Sequence, residues 1–174
     1  MRELELPEPY QRALDKYLQV TDNLDEQIEQ ADQEIQEKAK SDKKALLLMS
    51  IDGISYYSAL LIVTEIGDVK RFPSWRHLSF YVGVAPSVYS SGGKTRTGKI
   101  TRQGSKWLRW TIIQAAVRQG RADSRLGEFY RRLKHKKGAR IAKVATARKL
   151  LEVIYSMLKS NQPYIAFPKG HSSK

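Results

Sequence analysis

The stretch LLLMSIDGISYYSALLIVTEIGDVKRF, Leu46 to Phe72, reads as two apolar helices bent about a turn. Its first segment is a helix end. Asp52–Gly53 supplies the turn, and the pattern resumes as a helix from Tyr56 to about Ile66. Gly53 can adopt a positive φ and leave its N–H accessible, which is how helix-hairpin-helix elements meet a phosphate. The following helix N-terminus adds partial positive charge at the same place. Ser55 stands where the usual two-glycine hairpin has its second glycine, and its hydroxyl is suited to capping the helix. A phosphate-binding hairpin and a purely structural one both fit these residues.

Downstream, Gly67–Asp68 closes the helix, and Pro73–Ser74 opens another that runs toward Tyr81. An extended, β-like segment follows at Val82–Ser91. Three further helices are predicted: Ser105 to Gln119, with Leu108, Ile112, Ala115 and Ala116 inward; Ser124 to His135; and Ala139 to Lys159. The last buries Ile141, Val144, Ala145, Ala147, Leu151, Ile154 and Leu158, with Arg140, Lys143, Arg148 and Lys149 off that stripe. Trp107, Trp110, Tyr130 and Tyr155 read as core residues rather than base-stacking platforms. The tail, 165–174, reads as flexible.

Between these helices, GVAPSVYSSGGKTRTGKITRQGSKWLRW holds Gly92, Gly93, Gly98 and Gly104, the pair Ser90–Ser91, and six cations: Lys94, Arg96, Lys99, Arg102, Lys106 and Arg109. Glycines let backbone approach a ligand closely, and the cations surround it with donors. The GGKT step lacks the upstream glycine and the feeding strand of a Walker loop. A serine needs a base, a metal or a strong phosphate clamp to become a nucleophile. From Asp68 to Asp123 the only intervening His, Asp or Glu is His77. Read alone, the segment favours a phosphate cradle over an active site.

Upstream, Tyr17, Thr21, Leu24, Ile28, Ala31, Ile35 and Lys38 alternate in steps of four and three, a heptad seam amid Asp, Glu, Gln and Lys. Pro7 and Pro9 precede it, where proline can open a helix. A homodimeric or higher homo-oligomeric coiled coil and a helix folded back on the rest both fit. Charge divides at the same boundary. Residues 1–44 carry −5 and residues 45–174 carry +18 of the overall +13. A domain so basic attracts polyanions, nucleic acid above all.

With 41% apolar residues among 174, the chain can build a core. No run reaches the ~18 apolar residues of a membrane span, and no leader is read, so a cytoplasmic, membrane-free protein is expected. Cysteine is absent, which excludes thiol chemistry, disulfides and Cys-ligated zinc, and the scattering of His77, His135 and His171 argues against a His-built metal site. The organisation expected is mainly α. An acidic coiled-coil arm (1–44) precedes a compact basic helical domain (45–164) with a helix-hairpin-helix-like element and a short β-like segment.

The blocks at 51–87, 90–110 and 129–164 together resemble the C-terminal transposase domain of the one-ten family of bacterial insertion-sequence transposases, in order and spacing over about Leu46 to Tyr164. The resemblance implies a recombinase guided by a bridge RNA, with DNA and that RNA as partners. It implies a serine in an SG step that links covalently to DNA. Here that is Ser91, with Ser90 as the alternative; Gly53, Ser55, Gly92, Gly93 and the six cations are the candidate phosphate contacts. Family members also carry a RuvC-like domain whose DEDD carboxylates hold Mg2+ ahead of the coiled coil. The six acids after Lys44 (Asp52, Glu65, Asp68, Asp123, Glu128, Glu152) do not form such a set, so no cofactor is expected in this chain. It reads as a C-terminal part, inactive alone. A non-catalytic nucleic-acid-binding dimerisation module is the alternative.

Overall fold

A 34-residue helix, α1 (Glu8–Ser41), opens behind Pro7 and runs about 50 Å. The computed structural model describes residues 7–91 and 94–164, with backbone alone at 88–91 and 94–97. The helix is not folded back along its length: Tyr17, Leu24 and Ile28 are 72%, 56% and 58% exposed. Only its last turns enter the core, where Ala39 is fully buried and packs toward α3. That overturns the folded-back alternative and leaves Tyr17, Leu24 and Ile28 uncovered among the described residues.

Asp42 ends α1 and starts α2 (Lys43–Met49), its carboxylate accepting from the N–H groups of Lys44 and Ala45 at 2.7 and 3.1 Å. The turn then leads into α3 (Tyr56–Ile66), which Gly67 terminates at φ +63. A 3-10 turn at Val69–Arg71 connects to α4 (Trp75–Val82). Arg71 staples this corner: its guanidinium lies 4.5 and 4.7 Å from the Phe72 and Tyr81 ring centres and donates to Ile66 O. The antiparallel strands β1 (Pro86–Ser91) and β2 (Lys94–Ile100) follow, then α5 (Lys106–Gln119), α6 (Arg125–Lys137) and α7 (Ala139–Ser160). The mainly helical reading therefore stands. None of the described helices is long and apolar enough to cross a membrane.

Helix α7 is the central pillar, packed by α5, α6, α4 and α2. Leu150, Leu151 and Ile154 are fully buried there with Leu48, Ile62, Leu78, Leu108 and Ile112, each contributing ~1.5–3 kcal/mol. Its buried stripe runs through Ala142, Thr146, Ala147, Leu150, Leu151, Ile154 and Met157. The N-terminal half of that stripe is rotated from the one the apolar pattern predicts, and Ile141, expected inside, is 52% exposed. The tryptophans also differ from expectation, with Trp107 68% and Trp110 55% exposed, whereas Tyr130 is buried and Tyr155 donates to Phe72 O at 3.0 Å.

The described chain ends by folding back on the first turn, with Tyr164 N–H donating to Ser50 Oγ at 3.0 Å. Burial, and secondarily the Asp52 carboxylate, raise the Tyr164 phenol above its ordinary value, while a Ser124 hydrogen bond pulls the other way. The folded state therefore holds this proton more tightly than the unfolded chain. Its stabilisation is complete below pH about 10 and disappears as pH rises through the folded value. Urea midpoints of the wild type should fall more steeply from about pH 9 to 11 than those of Tyr164→Phe. Equal slopes would remove Tyr164 as the source.

Candidate functional site

The segment read as a glycine-rich loop is a β-hairpin. Ser91 pairs with Lys94, Ser90 with Thr95, Tyr89 with Arg96, Val88 with Thr97 and Pro86 with Ile100. Between the last two pairs, β1 has one residue and β2 has two, which places a bulge at Gly98–Lys99. Ser87 Oγ donates to Lys99 O at 2.8 Å across it. The β-branched residues Thr95 and Thr97 suit a strand, but glycines and cations between them hide that signal. Candidates Ser90, Ser91, Lys94 and Arg96 thus occupy consecutive register positions at the hairpin's far end. Gly92 and Gly93 lie outside the described residues.

The foot of the hairpin is built more tightly. Gly83 ends α4 at φ +78, and the returning chain crosses it backbone to backbone. Thr101 N–H donates to Ala85 O at 3.0 Å and Arg102 N–H to Gly83 O at 3.1 Å. Arg102 adopts φ +54, an uncommon conformation for a side chain of that size, and Gly104 adopts +88. Ser105 Oγ then caps α5 through Leu108 N–H at 3.2 Å and donates to Glu65 Oε1 at 2.9 Å. This ties the start of α5 to the end of α3.

Arg109 completes the crossing. Its Nη1 reaches the carbonyls of Arg102 and Gln103 at 3.1 and 3.4 Å. That nitrogen therefore holds the foot of the hairpin, a role invisible in a count of cations. Lys99, Arg102 and Lys106 are exposed. Beyond Lys106, Trp107 and Trp110 are exposed on the same helix, so aromatic surface lies next to the cationic surface at the hairpin's base.

Gly53 and Ser55 are elsewhere. A Cβ at Gly53, whose φ is +85, would fall 2.8 Å from the Cβ of Arg118. The fully buried Gln119 donates through Nε2 to Asp52 O. The turn is thus seated on the C-terminal end of α5, about 18 Å along the axis from Lys106. Ser55 makes no side-chain cap; its Oγ lies 3.4 Å from Ser58 Oγ. The structure does not bring these two residues together with the hairpin.

Among the described residues, no three His, Asp or Glu side chains approach one another closely enough to hold a metal ion. The acids after Lys44 therefore do not fit the Mg2+ set that the resemblance implies. A model of the transposase IS116/IS110/IS902 family matches residues 45–131, half of the chain, from within α2 through the first half of α6. The chain belongs to that family. The chain is 36% identical over 114 residues to the transposase for insertion sequence element IS1328 of Yersinia enterocolitica, covering 66% of the chain and 34% of that protein. It is 26% identical over 164 residues to a probable family 20 transposase of Pseudomonas aeruginosa, covering 91% and 48%. A pilin gene-inverting protein of Moraxella bovis is 32% identical over 125 residues, with 70% and 38% covered. The chain spans about a third to a half of the length of these curated relatives.

Proposed function

We propose that this transposase chain binds DNA and a bridge RNA and supplies Ser91 for DNA strand exchange. In that step the Ser91 Oγ gives up its proton and forms a bond to phosphorus. The bond from phosphorus to one deoxyribose oxygen breaks, and that oxygen takes a proton. A phosphodiester is exchanged for a phosphoserine ester, so the strand can be rejoined by the reverse reaction. The observation that carries the reading is the family match, which includes the whole hairpin. The exposed cations at its foot support it, since guanidinium groups stabilise charge growing on phosphoryl oxygens. The test is trapping of a covalent protein–DNA adduct, resolved by denaturing electrophoresis.

Mg2+, when bound by a DEDD-bearing domain, supplies Lewis-acid activation of the reacting oxygens. This chain's part is to position the strand and the serine. The same reading assigns α1 to self-association, because Tyr17, Leu24 and Ile28 lie exposed along one seam. Sedimentation equilibrium of the 174-residue chain should give a dimer or a larger homo-oligomer. Replacing both Leu24 and Ile28 by Lys should give a monomer with unchanged helicity, since neither side chain touches the core. A wild-type monomer at high concentration would refute the coil.

A further inference from the structure

A second concave surface lies beside the hairpin. The foot of β1–β2 faces the N-terminal half of α7 across a cleft of about 420 Å³, within the ~300–1,000 Å³ typical of sites for small ligands. Among the described residues its lining carries Lys99, Arg102, Arg140 and Arg148 and no acidic residue. Between the cations the surface is apolar: Ile141, Val144 and Ala145 on α7, with Pro86 and Ile100 opposite.

Three features separate this cleft from an ordinary basic surface. Arg140, Val144 and Arg148 follow one another at four-residue steps, so two guanidinium groups bracket an apolar patch about 12 Å long on one helix face. Arg148 Nε is buried without a hydrogen-bond partner among the described residues. Leaving such a donor unpaired costs ~1–3 kcal/mol or more, a cost relieved where the guanidinium turns toward an acceptor in the cleft. Ile141 is 52% exposed there, an apolar side chain in cationic surroundings. The larger cleft between α6 and α7 lacks this character, because Glu128 and Glu152–Lys149 bring acids to it or its edge.

We propose that this cleft receives one unpaired nucleotide of a polynucleotide strand. The phosphates on its two sides meet the bracketing cations Arg140 and Arg148, with Arg102 beside them, and its base lies on Ile141, Val144 and Ala145. The site rests on the nucleic-acid reading above and deepens it. A stacked duplex presents phosphates but no free base face, and so would leave the apolar floor uncovered. An unpaired base has such a face, and burying it on an apolar surface is insensitive to sequence because every base has one. DNA and RNA strands share this chemistry.

The test uses the full 174-residue chain and fluorescence anisotropy with labelled single-stranded DNA, single-stranded RNA and duplex DNA of one length, across a salt series. Arg148→Gln should weaken single-strand binding about tenfold and make its salt dependence shallower by about one phosphate's worth. Ile141→Ser, which leaves charge unchanged at an exposed position, should weaken it severalfold. Duplex affinity should change no more than in Lys136→Gln, an exposed cation on α6 outside the cleft. A greater loss with one single strand than with the other names the polymer. Wild-type single-strand affinity in both cleft variants, or an equal loss on duplex, overturns the cleft while leaving nucleic-acid binding intact. A wild-type chain that binds none of the three overturns both.

Discussion

Ser91→Ala, in a polypeptide that carries this chain together with a metal-binding DEDD domain, should abolish the covalent protein–DNA adduct and leave DNA binding in place. The substitution removes one oxygen near the end of β1, where Ser91 pairs with Lys94. Alanine costs a strand position at most a few tenths of a kcal/mol there, so the hairpin should persist. Loss of the nucleophile in covalent catalysis removes on the order of 10⁴-fold or more of the rate, which places the adduct below detection. On the proposed reading, affinity for DNA comes mainly from phosphate contacts with the cations, so its salt dependence should match that of the wild type. Ser90→Ala provides the comparison and should retain the adduct. If the two results are exchanged, the role moves by one residue. If no variant and no wild-type protein forms an adduct, strand transfer through this hairpin is wrong, and a non-catalytic nucleic-acid-binding module takes its place.

Most helices were legible because their signals are local. Ser105 and Ser124 cap α5 and α6 through Leu108 and Gly127 N–H groups, and Gly67 and Gly83 end α3 and α4. These residue types at helix ends carry the same meaning in any fold. The face that a helix buries is decided by its neighbours. On α7, Ile141, Val144 and Ala145 continue the apolar pattern, yet the hairpin foot stands away from them across the cleft, so Ile141 stays exposed. Trp107 and Trp110 differ from expectation for the same reason: size and apolarity argue for burial, but α5 turns Leu108, Thr111, Ile112 and Ala115 inward instead. At the candidate site, sequence located the serine pair and the cations without distinguishing their tasks. Arg109 Nη1 is committed to backbone carbonyls, and Gly53 is packed on Arg118. Both facts depend on contacts between segments distant in the chain or across a tight turn, where composition carries no information.

The crossing beneath the hairpin should be the most sensitive point of the fold. A Cβ at Gly104 would sit 1.9 Å from Tyr81 O, and one at Gly83 would sit 2.0 Å from Gln103 O. Neither obstacle is a side chain that can swing aside, so the two backbones must separate. Both glycines also hold positive φ, +88 and +78, which costs a non-glycine residue ~1–2 kcal/mol by itself. Gly104→Ala and Gly83→Ala should each lower unfolding stability by about 3–5 kcal/mol. For a chain of this length that means a drop in Tm of roughly 10 °C or more. Gly67→Ala separates the two causes, because φ is +63 there and nothing lies within 4 Å of the added Cβ. With ψ at −123 the position lies in a glycine-favouring region outside the left-handed helical well, so the variant should lose ~1–3 kcal/mol. If all three variants lose the same amount in urea unfolding, backbone conformation alone explains them and close approach contributes nothing. The consequence for function follows from the hydrogen bonds at the crossing. Arg102 N–H to Gly83 O and Thr101 N–H to Ala85 O fix the foot of β2 against α4, and forcing the strands apart there swings the far end that carries Ser91. Below its melting temperature, a folded Gly83→Ala protein should therefore lose adduct formation out of proportion to its unfolded fraction, whereas Gly67→Ala should not.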